Sequence, residues 1–174
     1  YPTSEPQLQL RLQTERYYEE EGRAELTPRD FGILMHRVFE NAATTDEIYT
    51  AIEAMTQDGV LDEKEAPRLR ELVEKALADP VTAEWFGGRW QVVRNENEII
   101  LPGSGTTRRP DRVMTDGERA VVVDYKFGDR ETARHRKQIR EYLRLLRQMG
   151  YTRTEGYLWY VRLGRTERVE EKED

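Results

Sequence analysis

Two acidic residues and a lysine stand where they could share an ion and a phosphate group. Asp111 lies in the run Arg109-Pro110-Asp111-Arg112-Val113, and Asp124 and Lys126 lie in Val123-Asp124-Tyr125-Lys126. Side chains alternate faces along a strand, so Asp124 and Lys126 project from one face and Tyr125 from the other. The Tyr125 carbonyl can still reach an ion beside Asp124. Asp111 falls at or near the head of the preceding strand, across a hairpin. Two carboxylates and an ammonium can thus meet at one end of a sheet. Such a set suits phosphodiester hydrolysis. Hard oxygen ligands hold Mg2+ or Mn2+ with positions left open. The ion polarises the phosphoryl oxygen and lowers the pKa of its bound water. The lysine positions that water or offsets charge developing on phosphorus. An Asp-x-Lys pair in a strand is also a common surface ion pair, so the trio needs support from elsewhere.

Further candidates lie on both sides of it. His36 sits well over a quarter turn from the middle of the Phe31/Met35/Val38/Phe39 face of its helix, which argues against a packed core histidine. It is a free surface side chain or a nitrogen ligand. Gly32, one turn earlier, leaves room for close approach of the sheet or a substrate. Glu40, one turn later, could orient the ring or be ordinary helix surface. Glu96 and Glu98 share a strand phase, and either could add an acid. Gln138 and Tyr142, one helical turn apart, flank the apolar face of Ile139, Leu143 and Leu146. There Gln can donate to phosphate, and Tyr can stack on a base or be half-buried packing. Arg108, Arg109, Arg112, Arg134 and Lys137 are candidate phosphate contacts.

These residues need positioning elements. Residues 1–26 are polar and weakly periodic and read as a linker or docked arm. A helix starts at Thr27-Pro28 with Asp30 three past the cap, and carries Phe31, Leu34, Met35, Val38, Phe39 and Ala42 on one face. A second helix is expected over 46–57, capped by Thr45. A third is expected over 62–78, with Leu69, Leu72, Val73, Ala76 and Leu77 inward and Asp79-Pro80 ending it. A short helical turn carries Trp85 and Phe86. Strands follow at 90–94, 99–101 and 108–114, the latter two around a Pro102–Gly105 turn. Asp116-Gly117 signals a hairpin into a strand over 119–127. Val121, Val122 and Val123 in succession imply a strand covered on both faces. A basic helix over 131–149 closes at Gly150. A strand over 155–163 and an edge at 166–169 precede a charged tail, 170–174. The layout is α+β: a mixed sheet with a three-stranded meander, then helix and strand, flanked by helices, with an N-terminal helical part.

Length and composition set outer bounds. The 174 residues suffice for one domain with a real core, expected over 27–169. The chain opens on Tyr1 and reads as a piece of a larger protein. No run is apolar enough to span a bilayer, so no membrane partner is expected; a reducing cytoplasm fits a chain without cysteine. The absence of cysteine excludes disulfides, zinc–thiolate sites and iron–sulfur clusters. A net charge of −6 is wrong for a generic nucleic-acid binder. Yet residues 130–153 hold eight Arg/Lys against two acids, a local +6 that leaves −12 elsewhere. One basic helix on an acidic protein suits a groove that meets phosphate only where needed, or a plain solvated face.

Taken together, these motifs resemble the PD-(D/E)XK nuclease superfamily, with Pro110-Asp111 and Asp124-Tyr125-Lys126 as its two motif halves. The chain is similar, more narrowly, to the C-terminal nuclease domain of RecB/AddA-type helicase–nucleases. The residues carrying that likeness are the 32–40 helix with His36, Asn95-Glu96, Asp124-Tyr125-Lys126-Phe127-Gly128, and Gln138-Ile139-Arg140-Glu141-Tyr142. The resemblance implies a restriction-endonuclease-like core and Mg2+ (or Mn2+) held by His36, Asp111, Asp124 and the Tyr125 carbonyl. Catalysis would rest on Asp111, Asp124, Lys126 and Glu96, with DNA met by Gln138, Tyr142, Arg109, Arg134 and Lys137. It also implies single-stranded DNA delivered by helicase domains of the parent chain, with or without a second helicase–nuclease subunit, in double-strand-break repair and recombination. The branch of the fold with an iron–sulfur staple is excluded. Two other readings are a nuclease-like domain that only binds DNA or scaffolds a repair complex, and a restriction or phage enzyme of the same fold.

Overall fold

The computed structural model describes residues 26–96, 109–127 and 133–171. The expected strand at 99–101, the turn at 102–105, Glu98, Arg108, the first two residues of the expected basic helix, the arm up to residue 25 and the last three residues of the tail lie outside them.

Four helices come first: α1 (Pro28–Glu40), α2 (Thr45–Gln57), α3 (Ala66–Ala76) and α4 (Pro80–Trp85). The start of α1 follows from its sequence. Thr27 Oγ1 accepts from the Asp30 amide at 3.2 Å, and Asp30 Oδ2 accepts from the Thr27 amide at 2.7 Å, a closed capping box. Two expected boundaries move. Thr44, not Thr45, caps α2, its hydroxyl accepting from the Glu47 amide. The third helix begins at Ala66, not Asp62. Pro67 lacks an amide and is tolerated only in a first turn, so the helix cannot run through it. Residues 62–65 form a separate turn instead. Asp79 does not merely end α3: its side chain caps α4 by accepting from the Val81 amide at 2.8 Å.

The sheet has five strands in the order β1-β2-β3-β4-β5: β1 (Val92–Asn95), β2 (Arg112–Asp116), β3 (Arg119–Lys126), β4 (Arg153–Tyr160) and β5 (Arg165–Val169). The first three form an antiparallel meander. Gly117, at φ 59°, turns the β2–β3 hairpin with Glu118. A long helix, α5 (Ala133–Gln148), then crosses over so that β4 lies parallel to β3, with Asp124 opposite Leu158. β5 adds an antiparallel edge. This is the mixed α+β layout expected of a restriction-endonuclease-like core. The first strand starts at Val92 rather than Trp90, because the Trp90 indole donates to the Glu84 carbonyl and lies under Arg119. The strand expected over 155–163 ends at Tyr160, where a turn leads into β5.

Two cores sandwich the sheet. Val121, Val123, Tyr125 and Trp159 face α1–α4, where Phe39, Trp85 and Phe86 pack on them. Val122, Leu158 and Tyr160 face α5 through Ile139, Tyr142, Leu143 and Leu146. The three consecutive valines are each fully buried, as a strand covered on both faces requires. Gly156 lets α5 sit close, since a Cβ there would run into Ile139 Cγ2.

Candidate active site

The hairpin register places the acids. Arg112 pairs with Val123, which brings Asp111, one residue earlier, beside Asp124. The two are tied by their own backbones. The Asp111 amide donates to Asp124 Oδ1 at 3.2 Å, and the Tyr125 amide donates to Asp111 Oδ2 at 2.6 Å. Lys126, on the same strand face as Asp124, places Nζ 3.5 Å from Asp124 Oδ2. Tyr125 points oppositely, into the core with Phe39 and Trp159.

Helix α1 delivers His36 to the same end of the sheet. Phe39, 0% exposed, anchors the helix over β3 and β4. Gly32 allows Phe127 to approach: a Cβ there would lie 3.2 Å from Phe127 Cβ. The Phe127 ring then meets the His36 ring edge-on at 5.7 Å. His36 Nε2 lies 3.6 Å from Asp111 Oδ1, and Nδ1 lies 3.4 Å from Glu40 Oε2. Glu96, at the end of β1, completes a group with His36 and Asp111 whose ligand atoms all lie within 4.8 Å of one another.

Crowding shifts the charges. Burial pushes the Asp124 carboxyl up to about 6, with the Asp111 charge adding and Lys126 opposing. Glu96 is raised by burial and then by Asp111. His36 is pushed up to about 10, first by its hydrogen bond to Asp111 and then by Glu40, against the cost of burial. Three carboxyl groups thus share one end of the sheet with His36 and Lys126. Carboxylate oxygens with one imidazole nitrogen are a donor set suited to a hard divalent cation. Such a cation would offset the Asp111 charge, which adds to burial in raising Asp124 and Glu96.

A family model described as the PD-(D/E)XK nuclease superfamily matches residues 7–174. The chain belongs to the PD-(D/E)XK nuclease superfamily. Its members are generally nucleases that use divalent metals. No curated protein matches the chain.

As a member of this superfamily, the chain departs from sequence expectation at particular side chains. Glu96, expected as a helper near the metal, stands with His36 and Asp111 in a group that could hold an ion, whereas Asp124 is turned to the Asp111 amide and Lys126. Arg112 is not a phosphate contact. It is 0% exposed, donates to the carbonyls of Ala42 (2.5 Å), Ala43 (2.7 Å) and Trp85 (2.6 Å), and stacks on Phe86. It ties the α1–α2 and α4 ends to β2, behind the site. Tyr142, 3% exposed, packs within the α5 core, and stacking on a base would require its ring to leave that cluster. Gln138 is half-buried on the same helix, while Arg134 and Lys137 are exposed on its outer side and Arg109 is exposed beside Asp111. The sequence held a sign of the Arg112 role: its phase along β2 matches Met114, which faces the helical core.

Proposed function

We propose that this domain is a Mg2+-dependent (or Mn2+-dependent) deoxyribonuclease of the RecB/AddA type. It would degrade single-stranded DNA fed to it by helicase domains of the same protein, in double-strand-break repair and recombination within the cytoplasm, with or without a second helicase–nuclease subunit. The observation that supports this best is the arrival of His36 from the leading helix at Asp111, since the hairpin acids alone would serve any nuclease of the superfamily. The helicase context rests on resemblance to that branch, and the body of the domain on residues 27–169.

His36, Asp111 and Glu96 would hold the metal, with Asp124 and the Tyr125 carbonyl completing the set. When bound, a divalent cation polarises the scissile phosphate and acidifies water. Lys126, held by Asp124, stands ready to orient the attacking water or to balance charge on phosphorus. Asp124 keeps that ammonium in place and, through the Asp111 amide, keeps the hairpin end closed. Arg109, Arg134 and Lys137, with Gln138, would meet the DNA backbone.

End-labelled single-stranded DNA, incubated with Mg2+, Mn2+ or chelator, tests the reading. Cutting should require metal and should be lost in Asp124→Ala and Lys126→Ala. Cutting retained in Asp124→Ala overturns the site assignment.

A further inference from the structure

His36 has two ring nitrogens, and each faces a different carboxylate. Nε2 is directed at Asp111, and Nδ1 is directed at Glu40; Glu96 stands in the same group. Glu40 lies one turn further along α1, so their contact follows from helical spacing and does not depend on the sheet. Phe127 abuts the ring from the side, at an interplanar angle of 73°. Glu40 and Phe127 thus flank the ring, and its Nε2 side faces Asp111.

A neutral imidazole carries one N–H and one lone pair, and only the lone-pair nitrogen can ligate a cation. An ionised carboxylate accepts hydrogen bonds and cannot donate. Asp111 faces Nε2 in the same way, so in the metal-free site both nitrogens can carry a proton; once a cation takes the Nε2 lone pair, Glu40 beside Nδ1 holds the remaining N–H there. The geometry points to Glu40 as a positioning residue: it holds His36 in the Nδ1–H tautomer and in the orientation that offers Nε2 to a divalent cation. This rests on the reading of His36, Glu96 and Asp111 as a metal-binding group. An outer carboxylate on a ligating histidine also raises the basicity of the ligand, and its loss typically weakens metal binding by roughly 10- to 100-fold. Glu40 touches neither substrate nor metal in this account and acts only through the ring.

The test uses the full chain as wild type, Glu40→Gln, Glu40→Asp, His36→Ala and the Glu40→Gln/His36→Ala double variant. Mn2+ affinity is measured by calorimetry. The His36 tautomer is read from its ring 15N shifts in the Mg2+-loaded, diamagnetic protein. Glutamine can donate as well as accept, so it no longer selects the tautomer. Glu40→Gln should bind Mn2+ about 10- to 100-fold more weakly and lose the single Nδ1–H signature. Glu40→Asp, which keeps an acceptor, should recover part of both. In the His36→Ala background Glu40→Gln should change nothing further. Wild-type affinity and tautomer in Glu40→Gln, with His36→Ala still impaired, would overturn the role of Glu40 and leave the metal reading intact. Equal Mn2+ binding in wild type and His36→Ala would overturn both.

Discussion

Asp111 and Asp124 are bound to each other through backbone rather than held apart as two like charges. The Asp111 amide donates to the Asp124 carboxylate, and the amide following Asp124 donates to the Asp111 carboxylate. Each acid is fixed by the other's strand, which pre-sets the pair before any ligand arrives. The cost is electrostatic. Asp124 is buried beside a second carboxylate, and its pKa rises from 3.8 to about 6.

That cost makes a stability prediction. A carboxyl whose folded pKa is raised favours the folded state when neutral, so no penalty exists below the unfolded pKa. The penalty grows as pH rises through 3.8 to 6 and is complete above. The metal-free domain should therefore lose stability across this window. Asp124→Asn should remove the loss, stabilising the metal-free domain at pH 7 by on the order of 2 kcal/mol while abolishing metal-dependent cutting. Urea unfolding in chelator, at pH 4 and pH 7, measures it; an Asn variant less stable than wild type at pH 7 contradicts it.

His36 predicts a proton count. Its pKa near 10 in the metal-free site means the imidazole is charged at neutral pH. Coordination requires the lone pair, so metal binding at pH 7.5 must release close to one proton from this residue. Mn2+ affinity should then rise with pH from about 7 toward 10. Calorimetry in buffers of differing ionisation enthalpy reads the released proton directly, and His36→Ala should remove it. The stability sign is opposite to a depressed acid: the contribution of His36 is full below 6.5 and lost as pH climbs through about 10.

How much of this could be read from the chain depends on whether a residue's role was local. The strand phase of Asp124 and Lys126, the capping box at Thr27 and the doubly covered valines follow from period and spacing, and they hold in the structure. The position of His36 off the apolar face was also legible, because helical spacing alone sets it. What was not legible came from long-range packing. Arg112 has the charge and neighbourhood of a phosphate contact, but its three carbonyl partners lie 27 to 70 residues away along the chain. No local pattern marks those carbonyls as unsatisfied helix ends awaiting a donor. Tyr142 sat at a face edge on the helical wheel, and only the closeness of α5 to the sheet, allowed by Gly156, decides that it is buried.

Arg112→Ala should be among the most destabilising single changes in the chain. It strips hydrogen bonds from three partly or fully buried carbonyls and empties a stacked position on Phe86. A loss of about 3 to 5 kcal/mol is expected. Arg112→Lys restores one charge but not a fork that reaches separate carbonyls, and should recover less than half. Denaturant unfolding ranks the three proteins. Near-wild-type stability in Arg112→Ala, with weakened DNA binding, would return Arg112 to the phosphate contacts.

Gly156→Ala tests how tightly α5 is seated. Its Cβ would collide with Ile139 Cγ2 and press on Leu143 at 3.2 Å. Because the strand is central and the helix is anchored by a full apolar face, neither yields freely, and a loss of about 1 to 3 kcal/mol is expected. Ile139→Ala removes the opposing atoms at its own cavity cost. Combined with Gly156→Ala, the total should fall short of the sum of the two single losses. Strict additivity would mean that the helix moves away without strain.

The outer side of α5 makes the last prediction. Arg134 and Lys137 are exposed, three positions apart on one face, whereas Arg136 is engaged by Glu167 on β5. If DNA crosses this helix, each exposed cation that meets a phosphate contributes counterion release, about 0.7 to the slope of log affinity against log salt for a single strand. Arg134→Gln and Lys137→Gln should each weaken binding of single-stranded DNA by a similar factor for any sequence and flatten that slope by about 0.7, about 1.4 together. Neither change should alter Mn2+ affinity, because neither residue belongs to the donor group. Fluorescence anisotropy across a salt series, in chelator to prevent cutting, gives the slopes. An unchanged slope in the double variant would show that the basic helix faces solvent alone and that the strand reaches Lys126 by another route.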